Sequence, residues 1–244
     1  NFGTKICGNI FYAIYIFIDT IVSKVTNIAN KLIQFVPTIK TNEIIYFDFE
    51  TTGLNPFHDR IIDYAFMVED EGNEIYTESL INPNIKFDKK ITDITGIHPD
   101  DLEDKPTIKT KLGEIYEFIN FNYKNILHKT IPERFLVAHN CDGFDKIFLL
   151  SHFTDRNKYP LVNKWKFVDT LPLAKKLLPK LNSHSLKSLA KFYNVTPGTH
   201  RALSDTKTLR EVFKNLVYQL ASQESVLPCY LFENPQKIID YYSF

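Results

Sequence analysis

Cysteine is scarce in this sequence: Cys7, Cys141 and Cys229 are the three in 244 residues, odd in number and far apart. That excludes a disulfide scaffold, and the spacing is not that of a zinc finger. A reducing, intracellular compartment, cytoplasmic or nuclear, is expected. Net charge is absent too, with 29 basic residues against 29 acidic ones. Bulk electrostatics therefore give no pull toward nucleic acid, and a polyanionic ligand would need local charge or metal ions. Arginine is rare, 5 against 24 lysines. It is the preferred side chain for reading base edges, so base-specific readout is not expected. No apolar run reaches the about 20 residues of a membrane span, no secretory cleavage pattern is present, and there is neither an internal repeat nor a low-complexity tract. What is plentiful is apolar material, 44% hydrophobic against 24% charged. That excludes a disordered chain and suits one full core with extensions.

The organisation divides in three: an extension over 1–42, a main domain over 43–221 and an apolar, aromatic tail over 222–244. Ile10 to Ile18 is an unbroken apolar run of nine. Ile18, Val22, Val25, Ile28, Leu32 and Val36 then mark one face of an amphipathic helix. It packs on its own domain, joins a partner or a second copy through residues 10–36, or lies on a membrane surface, the last not favoured. In the main domain, Ile44–Phe47, Ile61–Val68 and Glu74–Ile81 read as strands, the last two joined by a turn around Glu71-Gly72-Asn73. Leu112–Ile126 has helical spacing, Phe135–Ala138 is a short buried strand, and helical periodicity follows through Phe144, Ile147, Phe148 and Leu149. Helices are expected over Thr170–Leu178, Ser185–Tyr193 and Ala202–Leu220. Strands first, then strand–helix alternation, predict an α/β mixed sheet flanked by helices, with an N-terminal helical extension.

The chemistry begins at the end of the first strand, in Phe47-Asp48-Phe49-Glu50-Thr51-Thr52-Gly53-Leu54. Residues two apart on a strand share a face, so Asp48 and Glu50 project together. Two like charges so close repel, and their burial is costly unless cations bridge them. Hard oxygen ligands at a strand end suit Mg²⁺ or Mn²⁺. A solvated acidic strand end is the plainer alternative, but the pair alternates with Phe47 and Phe49 after an apolar run. Two more segments carry the same chemistry. Ala138-His139-Asn140-Cys141-Asp142-Gly143-Phe144-Asp145 has the form of strand end, turn and helix start. His200-Arg201-Ala202-Leu203-Ser204-Asp205 enters a helix. Singly, Asp145 and Asp205 are ordinary helix N-terminal charges and His200 an ordinary surface histidine.

In this order the three segments resemble the DEDDh 3′–5′ exonucleases, the family of the bacterial DNA polymerase III proofreading subunit, RNase T and oligoribonuclease. The likeness runs from about residue 43 to 220, and Ile94-Thr95-Gly96-Ile97, Asp169-Thr170-Leu171 and Ser185 to Ala190 fit as connecting pieces. A tyrosine in place of His200 would point to the sister group. The resemblance implies a ribonuclease H-like fold and hydrolysis at the 3′ end of single-stranded nucleic acid to nucleoside 5′-monophosphates, with two Mg²⁺ or Mn²⁺ ions. By the same resemblance Asp48 bridges both ions, and Glu50 and Asp205 complete the one that carries the attacking water. Asp145 supports the second, and His200 is the general base. Thr51, Thr52 and Leu54 line the terminal-nucleotide pocket, and Asn140 and Phe144 contact sugar and base, core packing being the alternative for Phe144. His139 is expected to hold the turn, and Asp169 to cap the helix starting at Thr170.

DNA is the favoured substrate, with RNA or oligoribonucleotides the alternative; a non-catalytic nucleic-acid-binding or scaffolding protein is the reading from another class. Lys187 and Lys191, four apart on one helix, are the best candidates among the lysines for a phosphate contact. Trp165 stacks on a base or, the favoured reading, takes an interior or interface position. Gln236 to Tyr242 faintly resembles a sliding-clamp-binding peptide, against a tail packed on the core.

Overall fold

The computed structural model describes residues 44–70, 72–121 and 133–243. The chain divides into units 1–40 and 41–244. The amphipathic stretch Ile18–Val36 and the surface expected over 10–36 lie outside the described residues.

Among the described residues the second unit is built on five strands: β1 (Ile44–Thr51), β2 (Ile61–Asp70), β3 (Asn73–Leu80), β4 (Arg134–Ala138) and β5 (Trp165–Asp169). Their order is β3-β2-β1-β4-β5. β1, β2 and β3 pair antiparallel, while β4 and β5 run parallel to β1. This is the mixed sheet that the strand order predicts. Eight α-helices accompany it among the described residues: α1 (Lys89–Thr95), α2 (Ile108–Asn120), α3 (Asp145–His152), α4 (Thr170–Leu177), α5 (Leu186–Phe192), α6 (Ala202–Gln223), α7 (Pro228–Glu233) and α8 (Pro235–Ser243). None of them is long and apolar enough to cross a membrane.

Strand alternation sends Ile45, Phe47 and Phe49 to one face of the sheet. There they meet Ile115 and Ile119 of α2 and Phe148 and Leu149 of α3. Tyr46 goes to the other face, under Leu209, Phe213, Leu216 and Leu220 of α6, with its ring 5.9 Å from that of Phe213. Asp48 and Glu50 share the Tyr46 face by the same period of two. They therefore emerge where α6 begins.

Three expectations change. The helix expected over Leu112–Ile126 runs from Ile108 and ends at Asn120, because Phe121 turns extended, with ψ 135°. Residues 122–126 lie outside the described ones. β5 and α1 were not anticipated. Trp165, the better-placed interior residue of the two readings, opens β5 buried, and its Nε1–H donates to Asn120 Oδ1 at 3.2 Å. Finally, no packing boundary falls at 221. α7 and α8 place Leu231 and Ile238 in the α6 core, and Tyr242 Oη accepts from the Asp169 amide at 3.0 Å. The apolar position of the clamp-like peptide, Ile238, is thus fully buried within its own domain.

Candidate active site

β1 delivers the first two carboxylates. Asp48 stands opposite Ala65 and Glu50 opposite Asp63 on β2, and the register shifts between Glu50 and Thr51. Such a shift bends the strand and re-aims its side chains, and pairing resumes at Thr51 opposite Ile61. The loop beyond is braced by Asp59, which accepts from the Thr52 hydroxyl at 3.1 Å and from the Asn55 amide at 2.8 Å. A β-carbon at Gly53 would lie 2.5 Å from Asp59 Oδ2, so only glycine lets the loop close this tightly. Thr51 and Thr52 are buried, and their hydroxyls serve the loop: that of Thr51 donates to the Gly53 carbonyl, and that of Thr52 also accepts from the Arg60 amide. Leu54, by contrast, is 83% exposed.

β4 and α3 deliver the third carboxylate. His139 at the strand end places Nδ1 2.9 Å from the Thr170 hydroxyl, and burial pushes its pKa down to about 4, which keeps the ring neutral. It holds the turn, as expected. Asn140 follows, exposed and left-handed at φ 61°, a conformation that Asn tolerates. Phe144 is partly buried against the α3 side of the core, its ring 4.9 Å from that of Phe148. Core packing is therefore its main contact. Asp145 opens α3, 2% exposed, with Oδ1 accepting the Phe49 amide at 3.2 Å. Asp169 caps α4 through the Leu171 amide at 2.9 Å and also receives the Asp142 amide at 3.0 Å.

α6 delivers the rest. His200 is exposed and left-handed at φ 56°, Arg201 is the N-cap residue, and Asp205 lies in the first helical turn. Donor atoms of Glu50, His200 and Asp205 all lie within 4.8 Å of one another. Asp145, buried, and Asp48, half-buried, stand beside them. Burial raises Asp48 well above the usual carboxylate range, and the charges of Asp145, Glu50 and Asp205 push it further. Glu50 rises to about 8, through burial and then Asp205 and Asp63, with Arg201 opposing. Asp145 and Asp205 are raised too, burial first in each case.

A donor set of hard oxygens that resists ionising because of its own crowded charge fits a divalent cation, which would reverse that penalty. The residues present thus suit the metal that the resemblance implies. Asp63 and Gly198 were missed in the sequence. The signal for Asp63 was there, a lone carboxylate in a strand buried on both faces over Ile61–Val68. Gly198 shows itself only in space: a β-carbon there would overlap Asp205 Oδ1.

A mixed sheet flanked by helices, with carboxylates from three separate segments converging at the end of its central strand, defines a ribonuclease H-like nuclease scaffold. The family model described as an exonuclease matches residues 45–213. The chain belongs to this DEDD-type exonuclease family. It is 30% identical over 215 residues to the chloroplastic/mitochondrial exonuclease DPD1 of Arabidopsis thaliana, covering 84% of this chain and 66% of that protein. It is 35% identical over 178 residues to the PolC-type DNA polymerase III of Thermotoga maritima, covering 71% of this chain but 12% of the polymerase. The zinc-bound E. coli Exonuclease I–ssDNA complex superposes with a TM-score of 0.60 at 20% identity, over 79% of this chain and 43% of that one. Exonuclease X with 5′-overhanging duplex DNA gives 0.53 at 21% identity, over 72% and 91%. The chain therefore spans just under two thirds of the plant exonuclease and a small part of the polymerase.

Proposed function

We propose that this protein is a divalent-metal-dependent 3′–5′ exonuclease. It would hydrolyse the last phosphodiester of a single-stranded nucleic acid and release a nucleoside 5′-monophosphate. The observation that carries this reading is the meeting of Glu50, His200 and Asp205 within 4.8 Å, beside the carboxylates of Asp48 and Asp145. Asp48, Glu50, Asp145 and Asp205 are the residues that would hold Mg²⁺ or Mn²⁺. When bound, such ions neutralise the phosphate's charge, make water more acidic and stabilise the entering and leaving oxygens.

His200, exposed beside Glu50 and Asp205, takes the proton of the attacking water on an imidazole nitrogen. The water oxygen bonds to phosphorus, the bond from phosphorus to the penultimate 3′-oxygen breaks, and that oxygen acquires a proton from solvent. Leu54, almost fully exposed on a braced loop, is placed to press on the terminal base, and Thr51 and Thr52 hold the backbone that meets the terminal sugar. Asn140, exposed, and Phe144, half-buried, contribute to the pocket from the β4–α3 turn.

DNA is the favoured polymer. The relatives named as DNA polymerases and the DNA-bound Exonuclease I and X support this choice. Matched 3′-labelled and 5′-labelled DNA and RNA strands, digested with Mg²⁺, Mn²⁺ or EDTA, test the reading. Mononucleotide release from the 3′ end of DNA, lost in EDTA, is expected. Faster RNA digestion would reassign the polymer, and tight strand binding without turnover in either metal would leave a binding protein on a nuclease fold.

A further inference from the structure

Arg201 is held in an unusual way. Its Nε–H donates to Asp63 Oδ2 at 2.8 Å, and the same oxygen receives the Ala202 amide at 3.3 Å. The Asp63 side chain is 3% exposed and that of Arg201 is 46% exposed. A guanidinium offers five N–H donors in a planar fork. One is engaged at the buried carboxylate, and among the described residues none of the four on the terminal nitrogens has a partner. Other arginines are used differently. Arg210 is committed to Glu69, Glu74 and Glu211, and Arg60 to the carbonyls of Phe57 and Asp59.

An ion pair with one partner half in solvent is weak evidence for stability, because screening and the desolvation of the buried carboxylate offset most of the attraction. Asp63 is also set directly opposite Glu50, where a further negative charge is unfavourable. What the pair does provide is a fixed direction. Anchored at Nε, the guanidinium is restrained in direction; it lies within the field of Glu78 and Glu50, and nearly half of its side chain stays open to solvent. The substrate of the proposed reaction is a chain of phosphates approaching a site otherwise lined with carboxylates, and a planar fork matches two phosphate oxygens.

We propose, resting on the exonuclease reading, that Arg201 is a phosphate-binding residue. Its terminal nitrogens grip a backbone phosphate of the substrate strand at the reacting end, and Asp63 is the positioning residue that aims it.

The test compares the parent with Arg201→Gln, Arg201→Lys and the double variant Asp63→Asn/Arg201→Gln, which leaves no buried charge unpaired. Single-stranded DNA binding is measured with Ca²⁺ across a salt series, using strands with a neutral methylphosphonate at each of the last three linkages in turn. One linkage should weaken parental binding most, and the double variant should be indifferent to it. The double variant should also raise KM about tenfold or more and lower the salt slope by about 0.7, with the Mn²⁺-induced melting shift retained. Arg201→Lys keeps the charge without the anchored fork and should recover the salt slope but not the KM.

Parental KM, salt slope and methylphosphonate pattern in the double variant, with kcat alone reduced, would overturn the inference and reduce Arg201 to holding His200. Should the parent release no mononucleotides at all, the exonuclease reading fails, while the binding arm still decides Arg201.

Discussion

The Phe49 amide donates to Asp145 Oδ1 at 3.2 Å, joining residues 96 apart in sequence. This bond ties the strand carrying Asp48 and Glu50 to the first residue of α3, so two of the three acidic segments are set by one contact. Asp145→Asn keeps an acceptor for that amide and removes one of the crowded charges. Without metal the variant should melt higher than the parent, it should lose most of its Mn²⁺-induced shift, and it should be inactive. Asp145→Ala leaves the amide buried and unpartnered, which costs about 1–3 kcal/mol, so its metal-free melting temperature should fall below that of Asp145→Asn. Differential scanning fluorimetry with EDTA and with Mn²⁺ separates the two.

The metal-free protein should grow less stable as pH rises. Glu50 has an ordinary value of 4.5 and stands at about 8 in the fold, so between those values the folded state holds a proton that the unfolded chain has released. Stability then falls with increasing pH across that window, because the folded state binds more protons. Asp48, Asp145 and Asp205 are raised in the same direction. A divalent ion supplies the missing positive charge and stabilises the state it binds. Melting temperatures in EDTA should decline from about pH 5 to about pH 8, and saturating Mn²⁺ should flatten the decline. A flat profile in EDTA would mean that the carboxylates are neither desolvated nor crowded in the folded state.

The acidic site was legible in the sequence because each part carries a local signature. Asp48 and Glu50 alternate with Phe47 and Phe49, Asp145 opens a helix after a buried strand, and Asp205 follows His200 at a helix entry. Asp63 and Gly198 act only through partners 138 and 7 residues away, Arg201 and Asp205, and no local pattern assigns such a role. The same reason hid the C-terminal packing. Proline breaks a helix interior, yet Pro228 and Pro235 each stand at the start of a helix, where a missing N–H costs nothing. β5 was obscured because its five residues alternate weakly between Trp165 and Asp169.

Residues 228–243 should therefore be indispensable to stability. Ile238 is fully buried among the α6 side chains, and Ile238→Ala should cost about 2–5 kcal/mol, read as a lower urea midpoint with an unchanged slope. Tyr242→Phe removes the acceptor of the Asp169 amide and should cost about 1 kcal/mol. Parental stability in both variants would show that α7 and α8 are dispensable.

Gly198→Ala should injure the site without touching a charge. A β-carbon at that position would overlap Asp205 Oδ1 and approach its Cα to 3.1 Å, so the carboxylate must rotate away from Glu50 and His200. Mn²⁺ affinity and turnover should both fall, the latter by about tenfold or more, with the melting temperature in EDTA little changed. Full metal affinity in this variant would mean that Asp205 is not needed in its present rotamer.

His200 and Asp205 share one cluster but should fail in different ways. His200 is exposed and left-handed at the entry to α6, so replacing its ring opens no cavity. As a positioned general base its removal should lower turnover by about 10²–10⁴-fold. His200→Ala should nevertheless retain single-strand binding in Ca²⁺ and most of the Mn²⁺-induced melting shift, since the oxygens of Asp48, Glu50, Asp145 and Asp205 remain. Asp205→Asn removes one of those charges and should reduce both turnover and the melting shift. Isothermal titration with Mn²⁺, run beside single-turnover cleavage, distinguishes a lost base from a lost ligand. If His200→Ala abolishes metal binding as completely as Asp205→Asn, the imidazole is a ligand rather than the base, and the proton of the attacking water must go elsewhere. If instead it keeps near-parental turnover with metal bound, the histidine has no part in the chemistry and the third segment serves only through Asp205.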